Sequence, residues 1–505
     1  MGKKDYSKKV MEVAMHYNYV QFKTPQFRIL SDSQIEELHL ATVQILEKTG
    51  VTFQSDEAIE LLADAGADIS DPKRVKIPSY LVEQALRTAP KSISLYTRDG
   101  EPAFILNGMT GSHFGAGHDP RMLQDVYTGK TRKCYVEDIT DYSKVIDALP
   151  NIEWSLCSAV NLTLPVEPED IGDRIGVLRF IYNSSKPIIG QNNNASTLKE
   201  TIELCSIVAG DEEKLRKKPF FVSSCEPVSP LVQGKDALEK ALLCAEKGIP
   251  NIVYGMQMAG ATTPATFAGC LSVANAEVLS QLVVLQLKNP GAPVIYGGMP
   301  SIMDMRTTIY SYGAPEKALM VGALTELCHY YKLPMYGTAG CTDAQVIGIQ
   351  SAVESTYNIL LSMLTGADLV HNVGTTYHGG WRSLELIVLA NEIIDMVKVL
   401  IGGIEINEET LPLDLIERLG PGGTYLCEGH TAKHFRNFWV ARIFDRTVSK
   451  KEDENNCEQL LKNKTIELLT THQPKPLPED VLKELRKVEK GWLKRVGLTD
   501  YPKRE

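Results

Sequence analysis

The sequence predicts a (β/α)8 TIM barrel with an N-terminal helical and mixed extension and a C-terminal helical tail. From about residue 108 the chain repeats a short apolar run, a Gly/Ser/Asn-rich break and a longer segment with helical spacing. The apolar runs number eight, at 111–115, 154–160, 187–191, 220–224, 251–255, 294–298, 334–338 and 369–373. They recur roughly every 30 to 45 residues, the length of one strand–loop–helix–loop unit. Eight parallel units of this kind close a barrel. An open doubly wound sheet would carry fewer or less evenly spaced units. Length agrees, since 505 residues with 43% hydrophobic content supply a large core plus additions.

The elements follow in order. Ser31-Asp32-Ser33-Gln34 places polar caps before a helical run from Ile35 that Gly50 closes. Residues 55–66 repeat the device, 78–89 supply a third helix, and Ser92-Ile93-Ser94-Leu95-Tyr96 alternates like a half-exposed strand ended by Asp99-Gly100. The predicted domains are an extension at 1–107, the barrel at 108–404 and a C-terminal extension at 405–505. Inside the barrel, helices are expected at 264–287, 315–331 and 344–365, and the first strand is the weakest because glycine breaks it. Residues 383–404 are very apolar but carry Glu385, Asn391, Glu392, Asp395 and Lys398, so they read as an amphipathic helix rather than a membrane span. Residues 411–419, the break Gly420-Pro421-Gly422-Gly423, a charged tail from 449 and a linker, Pro474-Lys475-Pro476-Leu477-Pro478, lead into a last helix.

Composition excludes several functions. Lys+Arg 53 against Asp+Glu 63 gives a formal charge of −10, leaving no basic field for nucleic acid or anionic membrane. The ten cysteines contain no CxxC pair, which fits reduced thiols and a cytoplasmic location, and no apolar stretch follows the charged residues after Met1.

In such barrels chemistry sits just beyond the C-terminal ends of the strands. The residues there are His113-Phe114, Ser158 and Asn161, Gln191-Asn192-Asn193-Asn194, Cys225-Glu226, Met256-Gln257-Met258, Met299 to Met303, Ala339 to Asp343 and His371 to His378. This set is polar-neutral and soft. Neither GxGxxG nor GxxxxGK[ST] occurs, so phosphates and nucleotide cofactors are disfavoured. No resident metal is expected. His430 and His434 have helical i,i+4 spacing but lack the Glu of HExxH, and a zinc trio of Cys341, His371 and Glu226 remains an alternative. Tyr254, Tyr296, Tyr310, Tyr312, Tyr336, Tyr377 and Trp381 border strand ends. Such ring faces attract a quaternary ammonium ion by about 0.5–2 kcal/mol each when dry. The plainer reading of any one tyrosine is filler between barrel and helices.

Tyr336-Gly337-Thr338-Ala339-Gly340-Cys341-Thr342-Asp343-Ala344-Gln345, followed by Gly366-Ala367-Asp368-Leu369-Val370-His371-Asn372-Val373-Gly374, resembles the core of the trimethylamine:corrinoid methyltransferase superfamily. The likeness extends to Gly115-Ala116-Gly117, Tyr296-Gly297-Gly298-Met299-Pro300, Glu428-Gly429-His430-Thr431 and His434-Phe435-Arg436. Archaeal trimethylamine enzymes of that family carry pyrrolysine inside this segment; Cys341 stands at the aligned position. Members without pyrrolysine include enzymes that demethylate glycine betaine, proline betaine, carnitine and γ-butyrobetaine. The resemblance therefore implies a non-pyrrolysine, betaine-type enzyme that passes methyl to the Co(I) corrinoid of a separate carrier protein. No corrinoid is expected to stay bound to this chain, since none of its histidines follows the Asp-x-His anchoring pattern.

On that reading Phe114, Tyr336 and Tyr377 surround the cation, with Asp343 or Glu226 as compensating charge. Asn193 and Gln257 position the substrate, and Arg382 or His371 faces its carboxylate. Cys341, Asp343 and His371 are the candidate catalytic residues, with Cys341 chiefly lining the pocket. A homo-oligomer is expected. The alternatives are a non-catalytic betaine-binding barrel and a zinc-dependent barrel enzyme.

Overall fold

The computed structural model describes residues 27–108, 110–117, 121–158, 162–167, 170–444, 446 and 456–504. The first residues, Asn161 and the start of the charged tail lie outside that set.

Eight strands close a parallel barrel: β1 (His113–Gly117), β2 (Trp154–Cys157), β3 (Ile188–Gly190), β4 (Phe221–Cys225), β5 (Asn251–Val253), β6 (Val294–Gly297), β7 (Met335–Thr338) and β8 (Leu369–Val373). Each pairs with its successor, and β8 returns to β1. Every predicted apolar run is one of these strands. The first begins at His113 because its glycines pack rather than break: a Cβ on Gly115 would stand 2.2 Å from the Trp154 ring, and one on Gly117 2.2 Å from Leu156 Cβ. The missing side chains on β1 make room for large ones on β2.

The pleat sends alternate residues inward and outward. Trp154, Leu156, Ile189, Val222, Ile252, Ile295, Tyr336 and Leu369 fill the barrel. Phe114, Ile188, Phe221, Val253, Val294, Met335 and Val370 join the larger core beneath the helices. The hairpin of Ile93–Tyr96 and Pro102–Leu106 packs Ile93, Leu95, Phe104 and Leu106 into the interior. Phe104 stacks on His113, the first residue of β1, at 4.2 Å, so the hairpin plugs the N-terminal end.

Among the described residues three α-helices precede the barrel: α1 (Asp32–Gln44), α2 (Asp56–Asp64) and α3 (Ser79–Thr88). The Ser31 hydroxyl accepts from Gln34 N at 3.3 Å while Gln34 Oε1 accepts from Ser31 N at 2.9 Å, a reciprocal cap as the sequence indicated. Around the barrel run α4 (Val136–Ala148), α5 (Gly172–Asn183), α6 (Ala195–Ala209), α7 (Lys235–Lys247), α8 (Phe267–Lys288), α9 (Pro315–Tyr330), α10 (Ile349–Thr365) and α11 (Leu384–Ile401). The apolar α8 has a mean hydropathy of 1.5 over a window that is 83% buried, because α1, α2 and α3 lie on it. In the tail, α12 (Cys457–Thr471) packs on α4 and α11, and α13 (Glu479–Arg495) packs on α6.

Candidate active site

Three buried rings, one just after β5 and one each on β7 and β8, meet in the barrel interior. Tyr336 on β7 stacks on His371 of β8, with centroids 4.6 Å apart and planes 18° from parallel. Tyr254, immediately after β5, meets Tyr336 edge-on at 5.1 Å and His371 at 6.0 Å. His371 Nδ1 lies 3.0 Å from the Gly337 carbonyl, an acceptor, so that nitrogen carries a proton. Glu226, just after β4, receives the Tyr254 hydroxyl and, at 2.9 Å, Gln191 Nε2. Burial pushes the Glu226 carboxyl above its ordinary range, while the Tyr254 hydroxyl pulls it back. Burial and the Glu226 charge push Tyr254 and Tyr336 far above the usual phenol range, so both remain neutral.

Tyr310, Tyr312 and Cys341 form a further apolar wall with Met256 and Met258. Tyr310 and Tyr312 meet edge-on at 4.9 Å. Burial and then the neighbouring Cys341 and Glu226 raise Tyr312 as well, which puts its hydroxyl within electrical reach of both. Gly379 has φ +86, and a Cβ there would lie 2.8 Å from the Tyr312 ring, so glycine lets this loop lie against the ring.

The wall is braced from behind. Asp343 accepts from Tyr312 N at 2.7 Å, Gly313 N at 2.9 Å, the Ser311 hydroxyl and His378 Nδ1 at 3.0 Å. Asn358 accepts from Gly340 N at 2.6 Å and donates to Cys341 O at 3.0 Å. Lys317, near the start of α9, reaches over the strand ends: Nζ lies 3.3 Å from Cys341 Sγ, 3.4 Å from Thr338 Oγ1 and 5.5 Å from the Tyr312 ring centre. Thr338 also accepts from Asn372 Nδ2 at 3.1 Å, and Asn372 holds a left-handed φ of 76.

The structure brings Tyr336, His371 and Glu226 into one cluster through Tyr254 and sets Cys341 in the adjoining wall. The other expected residues do different work. Phe114 is on an outward register of β1, under the helices, because the strand's period of two gives the inner face to His113 and Gly115. Asp343 is consumed by its four donors and shapes the loop rather than offering charge to a ligand. Asn193 donates its backbone N–H to Asp173 Oδ2 at 3.1 Å, and it is Gln191 that faces Glu226. Gln257 gives Nε2 to Glu277 on α8 at 2.5 Å. Tyr377 packs tilted against Trp381, with centroids 4.3 Å apart. Arg382 lies over the Tyr142 ring of α4 at 4.5 Å, with Nε and Nη2 unpartnered among the described residues; it is therefore turned to the helix layer and not to the ring cluster.

Among the described residues no three His, Cys, Asp or Glu side chains gather as metal ligands. The tilted rings of His430 and His434 lie 4.3 Å apart beside Glu409. Tyr254 and Tyr312 belong to the strand-end aromatics of the sequence, whereas Lys317 stands away from every strand end. Its signal was position: a cation in the first turn of a helix opposes the macrodipole and needs another reason to be there.

A family profile described as trimethylamine methyltransferase (MTTB) matches residues 2–490. The trimethylamine methyltransferase MttB of Desulfitobacterium hafniense (strain DSM 10664 / DCB-2) is 31% identical over 466 residues, covering 91% of this chain and 92% of that protein. A glycine betaine methyltransferase of Desulfitobacterium hafniense (strain Y51) is 31% identical over 430 residues, covering 84% of this chain and 88% of that protein. The solved monomethylamine methyltransferase MtmB of Methanosarcina barkeri aligns with a TM-score of 0.51 at 11% identity, over 97% of this chain and 93% of that one, a likeness of fold.

Proposed function

The chain belongs to the trimethylamine methyltransferase family of corrinoid-protein-dependent methyltransferases, and from that membership we propose that it takes methyl from a quaternary amine of the betaine type. The candidates are glycine betaine, proline betaine, carnitine and γ-butyrobetaine, and the acceptor is the corrinoid of a separate carrier protein. One observation carries the reading: Tyr254, Tyr336 and His371 pack as a dry ring cluster with Glu226 on its edge.

A quaternary nitrogen has no N–H to donate, so it is recognised by ring faces and by charge at short range, which this cluster offers. Its amine departs neutral, so methyl transfer asks no side chain to protonate nitrogen. The docked carrier's Co(I) supplies the nucleophile. The chain's own task is orientation: rings fixed on strand ends hold the ammonium so that one methyl points out of the barrel, and the apolar Met256, Met258 and Cys341 wall keeps water away. Positive charge on nitrogen disappears as the bond breaks, so a carboxylate such as Glu226 strengthens substrate binding more than it speeds the step.

The test mixes the protein with its carrier reduced to Co(I), adds each of the four betaines and trimethylamine separately, and follows cobalt absorbance. Methylation by at least one betaine is expected. Methylation by trimethylamine alone would overturn the proposal.

A further inference from the structure

We infer that the Lys317 ammonium is the anchor for the substrate's carboxylate, which makes the cup selective for zwitterionic quaternary amines; the inference rests on the quaternary amine reading above. Lys317 is 2% exposed. No carboxylate comes within ion-pair distance of it among the described residues, and its polar neighbours are the Cys341 sulfur and the Thr338 hydroxyl, at 3.3 and 3.4 Å. An ammonium has three donors, and burying one against only a sulfur, a hydroxyl and the Tyr312 ring is costly unless an anion completes the site.

Lys317 Nζ also lies beside the wall that adjoins the ring cluster. Thr338 is two residues beyond Tyr336 on the same face of β7, and Tyr312, whose ring centre is 5.5 Å from Nζ, belongs to the wall with Met256 and Met258. The cup is thus bipolar, with the Glu226 carboxyl on the β4 side and the Lys317 ammonium on the β7 side. A betaine carries the matching charges in reverse. A bare cation would satisfy Glu226 but leave Lys317 unpaired and repelling it. The other basic candidates are committed elsewhere: Arg382 lies on Tyr142 of α4, and His371 Nδ1 is held by the Gly337 carbonyl.

The test is calorimetric binding of the four betaines and of tetramethylammonium, which lacks a carboxylate, to the wild type, Lys317→Met, Lys317→Arg and Cys341→Ser. Circular dichroism confirms that each variant is folded, with Lys317→Gln replacing Lys317→Met if the latter is not. Loss of one charge-assisted hydrogen bond predicts about a ten- to hundredfold weaker betaine affinity in Lys317→Met, partly recovered in Lys317→Arg. Tetramethylammonium should bind Lys317→Met as well as the wild type or better. Equal losses for both ligands, or none for the betaine, would overturn the anchor. So would loss of betaine preference in Cys341→Ser alone, which would make Lys317 the partner of a Cys341 thiolate. A wild type and a Lys317→Met variant that bind a betaine equally tightly sink the anchor and leave the betaine reading standing; a wild type that binds no betaine sinks both.

Discussion

The Tyr336 ring lies on the His371 imidazole, 4.6 Å between centroids, because their strands pair with Thr338 opposite His371 and Tyr336 opposite Leu369, making the two rings diagonal neighbours on the barrel's inner face. The stack fixes both rings inside the barrel. The Tyr336 hydroxyl is buried with no hydrogen-bond partner among the described residues. Tyr336→Phe should therefore leave stability unchanged or raise it by up to ~1 kcal/mol, since a solvent-stripped hydroxyl is removed. Tyr336→Ala should cost about 3–5 kcal/mol of stability, together with the ring's share of cation binding. Urea unfolding midpoints check both; a less stable Tyr336→Phe would contradict the geometry.

Glu226 predicts a pH dependence. Burial, opposed by the Tyr254 hydroxyl, holds its carboxyl above the ordinary 4.5, so the folded free protein binds that proton more readily than the unfolded chain does. Its contribution to stability is present at acid pH and is lost as pH rises through the raised value. Ammonium binding favours the ionised form, so affinity for a quaternary amine should increase with pH across that same window above 4.5, by up to about tenfold per unit, with a proton released per ligand bound. Glu226→Gln should flatten the profile. Calorimetry in buffers of different ionisation heat reads the proton directly.

Asp343 should behave as a brace. Asp343→Ala leaves the Tyr312 and Gly313 N–H groups and the Ser311 hydroxyl without their acceptor, at about 1–3 kcal/mol for each group left unsatisfied. The expected result is a lower unfolding midpoint and a raised KM, because Tyr312 loses its support. A variant with full stability and an abolished kcat would instead make Asp343 a direct participant in the reaction.

The glycines of β1 give a test of the barrel itself. A Cβ on Gly117 would stand 2.2 Å from Leu156 Cβ, so Gly117→Ala should destabilise by about 1–3 kcal/mol. Gly429→Ala, with open space at its Cβ, should stay within about 0.5 kcal/mol. Similar midpoints for the two variants would mean that β1 and β2 pack differently.

The barrel was legible because its strands are short apolar runs buried on both faces, a pattern that survives without knowledge of partners. Even the first strand was found, displaced by two residues, since a glycine chosen for close packing looks in sequence like a glycine chosen to break a strand. The site was less legible. Proximity to a strand end nominated Tyr336, His371 and Glu226, which do meet, but it could not give side-chain direction. Phe114 points outward by one register step, and Arg382 turns to Tyr142, 240 positions earlier in the chain. Lys317 was hidden for the opposite reason: it sits on a helix two residues past Pro315, away from any strand end, and reaches the cup only through its long side chain.

The most direct test of the ring-and-carboxylate cup compares glycine betaine with 3,3-dimethylbutanoate, the same shape with carbon in place of the charged nitrogen, by calorimetric titration of the wild-type protein. Attraction between the fixed charge, the Tyr254 and Tyr336 rings and Glu226 predicts at least about tenfold tighter binding of the betaine. Equal affinity for the two would contradict the account.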